Sequence, residues 1–268
     1  MPTERRVTPS ATTDIREPRR PGHLSLVLNT LLFARPSESF SDGLICRFRV
    51  RPLNGTTGSE TGAGDRAFSV GSDLRQRKSM TKEDWLRQRQ DFDRTLYTLR
   101  QLRKPIFAAV NGVAYGGGSE LAQSTDFIIA SENATFGQPE AMIGLAAGGG
   151  SPALLPRLLP PGKAMQMLLT GDPITAQEAH RLGMVNEIHP QASLMHAARQ
   201  IAEKIASNSP TAVQAVKWSA KTGQGEPLEQ ATTIMMAAHW RSAVHPDRVE
   251  GIGAFNEGRE PNFQDPDY

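Results

Sequence analysis

Glu120 and Glu140 each sit beside an unusual backbone signal, and acid–base chemistry is what such a pair can perform. Glu120 lies just past Gly116-Gly117-Gly118, in what reads as the first turn of a helix with small, apolar neighbours. Glu140 directly follows Pro139 at the end of a short apolar strand. Two carboxylates brought to one pocket divide acid and base work when their surroundings separate their pKa values. Each also has an ordinary explanation: a first-turn acid on a helix dipole for Glu120, a solvated loop residue for Glu140. Spacing alone favours those explanations.

The glycines raise a second possibility. A residue without a Cβ lets another group approach the backbone closely. At a helix N-terminus the unpaired amides point outward and suit a phosphate or a developing oxyanion. For a bare glycine triplet, tight helix–strand packing is the more ordinary explanation. A phosphate-binding P-loop is unsupported, because no Gly-Lys-Ser/Thr follows. Gly71, in Phe68-Ser-Val70-Gly71-Ser72-Asp73, marks another special turn at a strand end. A nucleophilic Ser119 or Ser72 lacks a Gly-x-Ser-x-Gly setting and an evident His/Asp pairing. His180, His189, His196, His239 and His245 lack metal-ligand spacing and read as surface or packing residues, so no metal is expected. Lys163 and Lys217 read as solvated, and Met235, Met236 and Trp240 as helix-packing or subunit-interface residues.

The elements that must position these groups follow from pattern. Residues 1–22 are rich in Pro, Thr and Arg and read as a disordered tail. His23–Phe33 and Leu44–Val50 read as strands, and Asn54–Asp65 as a Gly/Thr/Ser loop. Helical spacing of Trp85, Phe92, Leu96 and Leu99 predicts a helix over Thr81–Leu102. Ile106–Val110 and Asp126–Ala130 are continuous apolar runs, expected as buried strands, and Ala134–Phe136 as a third. Ser151 is expected to cap a helix with Pro152 in its first turn. Thr175 and Glu178 form a capping box for another helix. Helices alone are expected past Gln191. The chain thus reads as an α/β core over 23–190, with 23–61 atypical, followed by a helical region over 191–268.

Composition narrows the classes. The chain has 268 residues, enough for a sizeable core, with a formal net charge of +2 that gives no support to a nucleic-acid partner. One cysteine, Cys46, excludes an internal disulfide and points to a reducing, cytoplasmic setting. No apolar run has membrane-spanning length, so no membrane association is expected. The start has no apolar core of a secretory signal, and Glu4, Asp14 and Glu17 argue against a transit peptide.

The stretches PIFAAVNGVAYGGGSELAQSTDFIIAS and ATFGQPEAMIGLAAGGG resemble the enoyl-CoA hydratase/isomerase (crotonase) superfamily. So do GAGDRAFSVGSDL before them and LLTGDPITAQEAHRLGMVNEI and EGIGAFNEGREPNF after them. The resemblance runs from Gly62 to Phe263. It implies a spiral core of ββα turns with C-terminal helices used for trimer assembly, as a homotrimer or a dimer of trimers. It implies an acyl-CoA thioester substrate and no separate cofactor. By position, the amides of Val70 and Gly117 form the oxyanion hole, with Gly71, Ser72, Asp73 and Gly116 as further substrate-binding positions. A glutamate at both Glu120 and Glu140 is the hydratase pattern: Glu120 activates the water that attacks C3, and Glu140 supplies the proton to C2. An isomerase, a specialised dehydratase of the carnitinyl-CoA type, and an impaired CoA-binding member remain the alternatives. The N-terminal sixty or so residues depart from the family's pattern. No lysine precedes Lys78, and NGTTGSET stands where an apolar strand is expected, so this segment is either highly divergent or partly translated from a shifted frame.

Overall fold

The computed structural model describes residues 24–28, 50–52, 55–60, 64 and 66–263; the expected N-terminal tail and most of Leu44–Val50 lie outside them. The first described strands are Leu24–Leu28 (β1), Val50–Pro52 (β2) and Gly55–Glu60 (β3). Ala67–Ser69 (β4) follows, then two helices, Leu74–Ser79 (α1) and Lys82–Gln101 (α2). Next come Ile106–Val110 (β5), Val113–Tyr115 (β6) and Gly117–Gln123 (α3). Ile128–Ser131 (β7) and Thr135–Gly137 (β8) lead into a 3-10 turn, Pro139–Ile143. Ser151–Leu158 (α4), Pro161–Thr170 (α5), Ile174–Thr175 (β9), Ala176–Arg181 (α6) and Glu187–His189 (β10) complete the α/β part. Four helices end the chain: Leu194–Ala206 (α7), Pro210–Gly223 (α8), Leu228–Ala243 (α9) and Pro246–Glu257 (α10).

One move is repeated: a strand in a first sheet, a strand in a second, then a helical segment. β3–β4–α1/α2, β5–β6–α3 and β7–β8–α4 are its three turns. The first sheet has the order β10-β7-β5-β3-β1-β2 and the second β4-β6-β8-β9. Pairing is parallel except for β1 with β2 and β8 with β9. This is the spiral that the family resemblance implies.

Side-chain alternation explains why β5 is apolar throughout. Ile106, Ala108 and Val110 face one core cluster, with Leu96 and Leu99 of α2, Leu121 of α3 and Phe136 of β8. Phe107 and Ala109 point the opposite way, onto Ile129 of β7 and onto Leu194, Ala198 and Ala202 of α7. A strand covered on both faces needs no polar residue at either period-2 position.

Several local expectations hold, and others are corrected. The helix expected over Thr81–Leu102 is α2, and Thr81 proves to be its cap, Oγ1 accepting from Asp84 N at 3.1 Å. Thr175 caps α6 by accepting from Glu178 N at 3.2 Å, but the Glu178 carboxylate pairs with Lys163 at 2.8 Å instead of closing the box. Lys163 is therefore ion-paired and half-buried. Ser151 is the first residue of α4; the cap position belongs to Gly150, at φ 131°. The stretch read as the loop Asn54–Asp65 contains β3, which pairs in parallel with both β1 and β5. Backbone bonds alone carry a ladder, so a Gly/Thr/Ser segment can join a sheet without an apolar pattern.

Lys217 is not solvated: its side chain is 9% exposed and its ammonium lies 2.7 Å from Asp126 Oδ2. Lys221 reaches Asp126 Oδ1 at 2.5 Å, and the Ile106 amide donates to Oδ2 at 2.9 Å. Lys217 also donates to the Lys104 carbonyl at 2.7 Å. Burial pushes the Lys217 pKa down while Asp126 pulls it up, so one carboxylate fastens α8 to the start of β5. Asp126→Ala is expected to cost about 3 kcal/mol or more, because it leaves a buried ammonium unpaired. A urea titration measures this; an unchanged midpoint would show that α8 docks without the ion pair.

Candidate active site

The site is built where three glycine-bearing turns press against one another. Gly116 adopts φ 54°, a left-handed backbone that side chains rarely take. A Cβ there would lie 3.0 Å from Glu140 Oε1, so its absence makes room for that carboxylate. At Gly118 a Cβ would fall 2.1 Å from the Ser69 carbonyl oxygen, so only glycine lets α3 start directly against β4. Gly71, at φ 79°, approaches the same helix start: its Cβ would stand 2.9 Å from Gly117 N. The turn after β4 and the N-terminus of α3 are therefore adjacent. Val70, 61% exposed, precedes Gly71 in that turn.

Glu120 points inward from the first turn of α3 and is 2% exposed. Its Oε1 accepts from the Ser151 amide at 3.3 Å, and the Gly149 amide also hydrogen-bonds the carboxylate. A Cβ on Gly149 would sit 2.3 Å from Glu120 Oε2 and 2.6 Å from Leu96 Cδ1. The loop 148–150 can thus lie on the carboxylate only because it is glycine. Two arginines of α2 hold that loop by its carbonyls, leaving its amides toward Glu120. Arg89 donates to the Gly148 oxygen at 2.5 Å and pairs with Asp93, and Arg100 donates to the Gly149 oxygen at 3.2 Å.

Glu140 lies in the 3-10 turn after β8, half-buried. Burial raises its pKa, opposed by its own amide and by the Arg77 guanidinium. Burial likewise raises that of Glu120, opposed first by the Ser151 amide, while the negative Glu140 adds to the rise. The fold thus brings the two glutamates close enough to interact, Glu140 against Gly116 and Glu120 in the first turn of the helix that follows it, with protons held more tightly than in water.

The remaining sequence candidates divide. Gly71 and Gly116 allow the close approaches to Gly117 and to Glu140. Ser72 accepts from Arg77 Nη2 at 2.9 Å, steadying the cation that faces Glu140. Asp73 caps α1, accepting from Arg75 N at 2.8 Å.

Four residues had escaped notice: Gln123, Gln138, Gly149 and the side chain of Ser151. Gln138 is 1% exposed and lies between Glu140 and Ser151. Ser151 Oγ donates to Gln123 Oε1 at 2.9 Å, and Gln123 Nε2 donates to Ser119 Oγ at 2.9 Å. Polar residues within an apolar stretch, GQPE and GGGSP, were the available signal.

Raised carboxyl pKa values carry a stability consequence. The folded state holds these protons at pH values where the unfolded chain has released them, so stability falls as pH rises from the unfolded range near 4.5 through the raised values. Glu120→Gln removes one of the two groups. Its melting temperature is expected to exceed the wild type's at about pH 8 and to converge with it toward about pH 4. A thermal-denaturation series over pH measures the gap; a gap that widens toward low pH would contradict the raised value.

With this geometry in place, comparison with known proteins is informative. The family model described as Enoyl-CoA hydratase/isomerase matches residues 61–266. The mitochondrial enoyl-CoA hydratase of Pongo abelii is 39% identical over 202 residues, covering 75% of this chain and 69% of that protein. The carnitinyl-CoA dehydratase of Escherichia coli K12 is 38% identical over 209 residues, covering 75% and 78%. Among solved structures, an enoyl-CoA hydratase from Bacillus anthracis superposes with a TM-score of 0.77 at 37% identity, covering 79% of this chain and 82% of its own. A family match over most of the chain, relatives of this identity and the ββα spiral agree: the chain belongs to the enoyl-CoA hydratase/isomerase family.

Proposed function

We propose that the protein is an enoyl-CoA hydratase, adding water reversibly and with syn geometry across the double bond of a 2-enoyl-CoA thioester. The observation that carries this reading is the pair of carboxyl groups, Glu120 and Glu140, near enough to interact and set beside the start of α3. The thioester oxygen sits against the amides of Val70 and Gly117. Glu120 takes a proton from water as the water oxygen bonds to C3. The C2–C3 π electrons move toward the thioester oxygen, and the resulting enolate charge is met by the two amides. Each such donor is typically worth about 3–4 kcal/mol. Glu140, neutral at the start, delivers its proton to C2. Both protonation states are accessible because burial raises each pKa, while the amides on Glu120 and the Arg77 charge beside Glu140 limit the rise. The reverse sequence is the dehydration.

Coenzyme A is part of the substrate in this scheme, and no other cofactor takes part. Exposed Met235, Met236, Trp240 and Phe255 on α9 and α10 support assembly into a homotrimer or a dimer of trimers. The single cysteine supports a cytoplasmic setting. Among the described residues, no helix is long and apolar enough to cross a membrane. A second reading, dehydration of a specialised acyl-CoA, is favoured by the likeness to the carnitinyl-CoA dehydratase.

Glu120→Gln and Glu140→Gln are each expected to lower hydration by roughly 10²–10⁴-fold while the protein stays folded. Loss of the conjugated enoyl-thioester absorbance, followed across several acyl-CoAs, measures this and separates the two readings by preferred substrate. Near-wild-type turnover in either variant would remove that glutamate from the chemistry.

A further inference from the structure

Arg77, in the last turn of α1, stands near Glu140 with its charge unanswered. It is half-buried, and a guanidinium carries several N–H donors on a permanent cation. Among the described residues only its Nη2 finds a hydrogen-bond partner, Ser72 Oγ at 2.9 Å. Nε is shut off from solvent with no partner. No carboxylate of the described residues forms an ion pair with it. The neighbouring arginines of α2 are engaged otherwise. Arg89 pairs with Asp93 and holds the Gly148 carbonyl, and Arg100 donates to Ser124 and to the Gly149 carbonyl.

Its position narrows what answers the charge. Ser72 follows Gly71, whose missing Cβ brings that turn against Gly117 N. The guanidinium is thus tethered one residue from the turn proposed to hold the thioester oxygen. Two neighbouring charges act on it: Arg89 disfavours the cation and Glu140 favours it. At the start of the proposed hydration Glu140 is neutral, so that support is absent when substrate binds. A partly desolvated cation without a counter-ion is costly, and an anion delivered by the substrate offsets the cost. The CoA phosphates are the wrong anions. The pantetheine arm holds them much farther from C2, where Glu140 acts, than an arginine side chain reaches. The remaining place for the anion is the acyl chain.

We propose that Arg77 is a specificity-determining residue and that the preferred substrate is a 2-enoyl-CoA whose acyl chain ends in a carboxylate. This deepens the hydratase reading of the same site and rests on it. The bonds made and broken are unchanged: the water oxygen joins C3 and a proton joins C2. The chain-end carboxylate takes no part in them and pairs with Arg77. Arginine suits the task because its planar fork meets both oxygens of a carboxylate. Ser72 keeps the fork in place by accepting from Nη2.

Four 2-enoyl-CoA thioesters test this, with chains of five and six carbons, each ending in a methyl or in a carboxylate. Loss of enoyl-thioester absorbance gives kcat/KM for each, and the ratio within a pair is the readout. The wild type is expected to favour the carboxylate member of at least one pair by roughly 10–100-fold, the usual worth of a charge-assisted contact. Arg77→Met is expected to bring that ratio down toward one. The ratio cancels any effect of Arg77 on Glu140 itself, which falls on both members of a pair alike. If Arg77→Met does not fold, Arg77→Gln, which keeps a donor for Ser72, takes its place with the same expectation. A wild-type ratio at or below one in both pairs would overturn the proposal without any variant. So would a ratio that survives removal of the guanidinium, because Arg77 would then serve Glu140 alone. Turnover of the methyl-ended chains with no carboxylate preference defeats this proposal and leaves the hydratase reading standing. No turnover of any of the four defeats both.

Discussion

A carboxylate as buried as Glu120 loses its hydration, and backbone amides must replace that water if it is to ionise at all. The surrounding structure follows from this need. The amides come from the loop 148–150 and the start of α4, far along the chain from α3. Bringing them to the carboxylate demands a loop without side chains, which is why Gly149 has Glu120 Oε2 where its Cβ would be. Holding such a loop in place demands anchors, and Arg89 and Arg100 supply them from α2. The long helix therefore anchors the loop that lies on Glu120 as well as packing the core.

The same logic of close approach joins β4 and the start of α3. Gly118 lets α3 begin against the Ser69 carbonyl, and Gly71 brings the turn after β4 to within contact of Gly117. A helix start so placed offers amides and a positive dipole end to a developing negative charge. The spiral makes this possible by repetition. The three parallel strands of the second sheet end near the same edge, so β4, β6 and β8 deliver Val70, Gly116 and Glu140 to one place.

Much of the scaffold was legible because burial writes a periodic pattern. β5 and β7 were continuous apolar runs, and α2 showed helical spacing of Trp85, Phe92, Leu96 and Leu99. β3 was not legible, since GTTGSE has no such pattern and its place in the sheet depends on backbone pairing with β1 and β5. Ser151 looked like a helix cap, yet its hydroxyl is drawn into the row that includes Gln123 and Gln138, and Gly150 takes the cap position. Lys217 looked like a surface cation, yet it is enclosed by Asp126 and the Lys104 carbonyl. In each case a distant partner outweighed the local preference.

From sequence alone came the kinds of chemistry on offer: two carboxylates, glycine turns able to expose amides, and family motifs that place them in order. Tertiary structure alone decided what those groups become. It set how far Glu120 is buried, which amides reach it, that Arg77 rather than a lysine faces Glu140, and that Gln138 and Ser151 back the pair. The reason is physical. A residue's type and spacing are local properties, whereas desolvation and hydrogen-bond matching depend on groups that meet only when the whole chain closes around them.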